Sequence, residues 1–163
     1  MLLDLREIIG VPGGEVSFDY EINLSDAAIG SVKEIKSPSR AAGSVKNRAG
    51  VLNFTANVDA TLVCVCARCL SEFEVPVQRA FSAVLTVEEE NGEIPGLYGL
   101  DGDKADADEI IVSEFVLAVD QRYLCSEECK GICQKCGADL NAGRCSCESE
   151  IDPRLAVLGQ LLE

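Results

Sequence analysis

The sequence predicts an α+β protein: an antiparallel β body, barrel-like or sandwich, followed by a cysteine-rich tail that ends in a helix. Three observations carry this reading. Apolar and polar residues alternate from Glu15 to Leu24 and again from Val51 to Cys66, the period of a half-buried strand. A dense run of cysteines fills residues 125–147. Beyond it, Leu155, Leu158 and Leu162 recur at the spacing of one helix face.

In the first strand Val16, Phe18, Tyr20, Ile22 and Leu24 share a face, and Gly13-Gly14 supplies the turn before it. Val32–Lys36 is a shorter strand, broken by Ser37-Pro38-Ser39-Arg40. Asn47-Arg48-Ala49-Gly50 reads as a hairpin turn into the long alternation Leu52, Phe54, Ala56, Val58, Ala60, Leu62, Cys64. Strand character continues from Phe73 to Val87. Residues 88–109 are acidic, Gly-rich and without periodicity, and read as a loop. A helix is expected over Glu114–Val119 with Ser113 as its N-cap. In the last element Asp152 is the N-cap and Pro153 the first helical residue. These elements divide the chain into a β-rich body, 1–124, which includes the acidic loop at 88–109, and a cysteine-rich tail, 125–163.

The net charge of −14 is concentrated in one stretch. Residues 88–128 hold 13 acidic and 2 basic side chains, a net of −11. An acidic protein of this kind repels phosphate backbones and suits a basic protein partner, although a solvated acidic loop without a partner has the same composition. The start of the chain, Met1-Leu2-Leu3-Asp4-Leu5-Arg6-Glu7, lacks the apolar stretch of a signal peptide, and no run reaches the ~18 apolar residues of a membrane span. The expected location is the cytoplasm, with no membrane contact. There thiols stay reduced, and paired cysteines point to metal.

The cysteines sort into two quartets by spacing. Cys133-Gln134-Lys135-Cys136-Gly137 is a C-x-x-C-G turn, and Cys145-Ser146-Cys147 follows after a short turn-forming linker. Two thiolates on a tight turn supply half of a zinc tetrahedron, and a second pair supplies the rest. A bare thiol cluster and iron–sulfur ligation are the competing readings. Cys66 and Cys69 form another C-x-x-C at a strand end, and with Cys125 and Cys129 they could close a second site between body and tail. Otherwise those four are spare thiols. Cys64 is in phase with the apolar face of its strand and reads as core. Four thiolates leave no open coordination position, so either site would be structural.

Nothing in the pattern suggests an enzyme. Histidine is absent, which removes the commonest general base. No phosphate-binding glycine motif, H-E-x-x-H or G-x-S-x-G occurs. Cys66 and Cys69 could form a redox dithiol, but no βαβ pattern surrounds them.

One family carries this arrangement. Cys125-x-x-x-Cys129-Lys130-Gly131-Ile132-Cys133-x-x-Cys136-Gly137-x-x-Leu140-Asn141, then Cys145-x-Cys147, then Ile151-Asp152-Pro153-Arg154-Leu155-Ala156, resembles the bacterial YceD family. So does Cys66-x-Arg68-Cys69-Leu70. The chain departs from it at Ala118-Val119-Asp120-Gln121, where family members often have a proline. The resemblance implies a non-enzymatic factor that supports accumulation of large-subunit ribosomal RNA and ribosome assembly. On that reading the expected partner is a basic ribosomal protein or a pre-ribosomal large-subunit particle. Two alternatives stay open at the level of sequence. One is a direct RNA binder using Arg68, Arg79, Lys130, Lys135, Arg144 and Arg154. The other is a thiol redox or metal-sensing protein.

Overall fold

The computed structural model describes residues 1–25, 27, 29–87 and 94–147. Its elements in chain order are β1 (Leu2–Asp4), α1 (Arg6–Ile9), β2 (Glu15–Ile22), β3 (Val32–Arg48), β4 (Val51–Val65), β5 (Glu72–Thr86), β6 (Leu97–Gly99), β7 (Lys104–Asp106) and α2 (Ala107–Ala118). The helix expected after Asp152 lies outside the described residues, as does Arg154. None of the helices among the described residues is long and apolar enough to cross a membrane.

The main sheet has the order β2-β3-β4-β5-β6, and β1 pairs with β7 in a second, two-stranded sheet. The expected barrel-like closure is not there: β2 and β6 are the ends of an open sheet. The pairs are antiparallel except β5–β6, which is parallel. An added helix, and not a large second sheet, buries much of the apolar face. Ile110, Ile111 and Phe115 of α2 join the same core as Phe54, Val58 and Leu62 of β4. The alternation in β4 survives almost unbroken, with Leu52 through Cys64 buried at every second position.

β3 runs straight through the expected break. Its register against β4 shifts between Lys36 and Arg40, so Pro38 falls in a bulge where its missing N–H costs no ladder bond. The Asn47–Gly50 turn forms as expected. Arg48 pairs with Val51, and the two linking residues, Ala49 and Gly50, have φ of 53° and 93°, the left-handed geometry that matches strand twist. Across β2, β3 and β4, Gly43 lies between Phe18 and Ala56. A Cβ there would come within 2.0 Å of the Thr55 carbonyl oxygen and 2.7 Å of Phe18. Its absence lets Phe18 stack on Phe54, with ring centroids 5.3 Å apart.

The segment read as an acidic loop at 88–109 is in part ordered structure: it contains β6, β7 and the first turn of α2. Three-residue strands are too short to show a period. α2 also begins earlier than expected, at Ala107, which places Ser113 inside the helix. The cap is Asp106, whose carboxylate accepts from the Asp108 N–H at 3.0 Å. Asp108 and Glu109 in the first turn face the positive end of the helix dipole, so part of the acidity serves helix initiation.

Candidate metal centres

β4 delivers its last residues to a turn that carries the first cysteine pair. The Leu70 N–H donates to the Cys66 carbonyl at 3.0 Å, and the Cys66 N–H donates to Ser71 O at 2.9 Å. The chain leaving α2 then returns to this turn. Residue Tyr123 bridges Cys66 in parallel fashion, with the Ala67 N–H donating to Tyr123 O at 2.9 Å. That contact sets Cys125 beside Cys69. Arg68 completes the attachment: one guanidinium nitrogen, Nη1, donates to the carbonyls of Glu127 and Cys129, each at 3.0 Å.

The result is a close group of four sulfurs from Cys66, Cys69, Cys125 and Cys129, all within 4.8 Å of one another. Cys66 and Cys129 are 3.8 Å apart, and Cys69 and Cys125 are 3.6 Å apart. A disulfide requires about 2.05 Å, and all nine cysteines are free. Four sulfurs held about 2.3 Å from a shared zinc ion lie about 3.8 Å from each other, so the spacing fits tetrahedral coordination.

The second group, Cys133, Cys136, Cys145 and Cys147, meets the same limit of 4.8 Å. Its turn repeats the first. The Gly137 N–H donates to the Cys133 carbonyl at 2.8 Å, and Gly137 has φ 73° where Leu70 has φ 63°. Both groups could hold a metal ion. They differ in shielding: Cys66 and Cys129 are buried, whereas no sulfur of the second group is.

The local fields suit a cation. Burial opposes ionisation of Cys66, but the N–H groups of Cys125, Cys69 and Arg68 outweigh it and bring the thiol down to about 6. The N–H groups of Cys136 and Lys135 likewise bring Cys133 down to about 6. The later thiols pay the electrostatic penalty. Cys125, against Cys69 and Cys129, is pushed up to about 12, and so is Cys147, against Cys136. Four adjacent sulfurs cannot all ionise without positive charge among them. Cys64 belongs to neither group; it is buried in the core, and burial raises its pKa.

A family model described as the large ribosomal RNA subunit accumulation protein YceD matches residues 54–162, which include both cysteine groups. The chain belongs to the YceD family. Neither the curated proteins nor the solved structures contain a significant match.

In this YceD-family chain all eight cysteines singled out in the sequence come together in their two expected groups. The sequence reading missed Asn141. Its Nδ2 lies 3.5 Å from the Cys129 sulfur, and its Oδ1 accepts from the Lys130 N–H at 2.8 Å. Asn141 sits between the two cysteine pairs of the second group, yet it contacts a sulfur of the first. The Leu140-Asn141 pair was visible only as part of the family pattern, since no spacing rule marks such a donor. Of the basic residues considered for RNA, Arg68 is committed to the tail carbonyls. Arg79 donates to Ala118 O at 3.0 Å and pairs with Asp120 at 2.9 Å.

Proposed function

We propose that this chain is a non-enzymatic factor supporting large-subunit ribosomal RNA accumulation and ribosome assembly in the cytoplasm. It would act by binding a basic ribosomal protein or a pre-ribosomal large-subunit particle. The observation that carries this reading is the family match over residues 54–162. The charge distribution supports a protein-mediated contact, because residues 88–128 are strongly acidic and Arg68 and Arg79 are already engaged internally.

Structural zinc in both cysteine groups is part of the proposal. All-thiolate donors within 4.8 Å of one another support a single ion in each, and groups this compact leave little room for a cluster with bridging sulfides. Zinc bound there would offset part of the thiolate charge and tie chain segments together. Cys66, Cys69, Cys125 and Cys129 would fasten the tail, 125–163, to the body. Cys133, Cys136, Cys145 and Cys147 would close the tail on itself.

The test is co-sedimentation of the zinc-loaded protein with purified large-subunit precursors, with and without nuclease, at low and high salt. The proposal expects association that weakens as salt rises, since exposed charge pairs are screened. Absence of association at low salt contradicts it. Binding to protein-free ribosomal RNA with equal strength would favour the direct RNA-binding alternative.

A further inference from the structure

A groove of about 690 Å³ runs between β6 with the segment before it and the outer face of α2. Its lining is of two kinds. Ile94 and Leu117 are apolar yet 56% and 71% exposed, and Leu97 lines the groove with them. Asp101, Asp106 and Glu109 are its acidic members. Asp106 is occupied as the helix cap. Neither Asp101 nor Glu109 pairs with a lysine or arginine among the described residues. No lysine or arginine lines the groove. The sequence adds Glu88, Glu89, Glu90 and Glu93 just before Ile94.

Exposed apolar side chains gathered along one groove and rimmed by polar residues form the kind of surface that partners cover. The charge selects the occupant. Nucleic acid and anionic bilayers are repelled, and so is the same acidic face of a second copy. The geometry points to this groove as the docking site for a basic, amphipathic segment of a protein partner. Its apolar side chains would sit against Ile94, Leu97 and Leu117, and its lysines or arginines would face Asp101 and Glu109. This inference rests on the proposed function and gives its partner contact a location.

The probe is a short fluorescein-labelled peptide of lysine and leucine in helical register, with a control in which serine replaces every leucine. Binding is read by anisotropy on the zinc-loaded full chain, and the site by amide chemical shifts. The wild type should bind the lysine–leucine peptide at low salt, with shifts concentrated at residues 94–117. Leu117→Ser, and separately the pair Asp101→Asn with Glu109→Gln, should each weaken binding about tenfold or more, as should the serine control peptide. These side chains are on the surface, so unchanged zinc content and circular dichroism serve as the folding check. No saturable binding, equal binding by the serine peptide, or unchanged affinity in both variants would overturn the groove assignment. Co-sedimentation with large-subunit precursors separates the two levels. Particle association that persists in both variants overturns the groove while leaving the proposed function standing. No association even by the wild type removes that function, whatever the peptide does.

Discussion

The sulfurs of Cys66 and Cys129 lie 3.8 Å apart although 63 positions separate them in the chain. One belongs to the turn that follows β4, the other to the tail. Their meeting depends on the return of the chain through Tyr123 and on the Arg68 guanidinium, which spans the Glu127 and Cys129 carbonyls.

Arg68 is therefore expected to control the first metal group and not the second. Arg68→Ala should lower zinc affinity of Cys66, Cys69, Cys125 and Cys129 by about 10–100-fold, the usual effect of removing a partner that orients the ligands. Arg68→Lys should recover part of the loss, because both carbonyls are bonded by the single nitrogen Nη1 and an ammonium also offers several donors, although on a stem of different length. Competition with a chelator, followed separately in the Cys136→Ser background, isolates the first group. An equal loss from both groups would count against this role.

Asn47 should be among the most sensitive polar residues of the body. It is buried, donates to the carbonyls of Ile8 and Ile9 at 2.7 and 2.9 Å, and accepts from the Gly50 N–H at 2.8 Å. Asn47→Ala strands these groups and should cost about 2–4 kcal/mol in urea unfolding. Asn47→Asp should be no better, since a carboxylate would face two carbonyl oxygens.

How much of this was legible in the sequence depends on the range of the interaction. The period-two pattern of β4 and the Ala49-Gly50 turn are local, and both could be read directly. Spacing also marked the two C-x-x-C pairs, Cys66/Cys69 and Cys133/Cys136, because a tight turn fixes each pair whatever the rest of the fold does; that Cys125 and Cys129 reach back to Cys66 and Cys69 was open from spacing alone, since spare thiols fit it equally. The open sheet was not legible: the alternation in β2 and β4 is the same in a barrel and in a sheet covered by α2. The acidity of Asp106, Asp108 and Glu109 suggested a loop because a helix start and a solvated turn favour the same residues. Arg68 and Asn141 act on backbone and sulfur across long sequence separations, which no local pattern records.

Left-handed residues offer a test of opposite sign. Ala49 and Leu70 have φ of 53° and 63°, and Leu70 is 62% exposed. Ala49→Asn and Leu70→Gly should each stabilise by about 1 kcal/mol, since asparagine and glycine tolerate this region better. Gly131→Ala should do the reverse: φ is 74°, and the added Cβ would meet the Arg68 carbonyl at 2.9 Å. A cost of about 1–3 kcal/mol, with loosening of the tail in hydrogen exchange, is expected.

Tyr20 gives a pH dependence. Burial raises its pKa, and its hydroxyl donates to Asp108 at 2.7 Å, which raises it further. Because the folded pKa exceeds the unfolded value of about 10, this contribution is complete below pH ~10 and is lost as pH rises through the folded pKa. Tyr20→Phe should lower stability by about 1 kcal/mol at neutral pH and reduce the further loss above pH ~10. Parallel pH profiles for the two proteins would contradict the assignment.

The central claim is that two separate metal centres hold the tail, one to the body and one to itself. Zinc content per chain, measured on the wild type, Cys66→Ser and Cys136→Ser after identical loading, tests it most directly. The account predicts two zinc ions in the wild type and one in each variant, with amide protection lost around residues 123–129 only in Cys66→Ser. A single zinc in the wild type, or unchanged zinc in either variant, would contradict it.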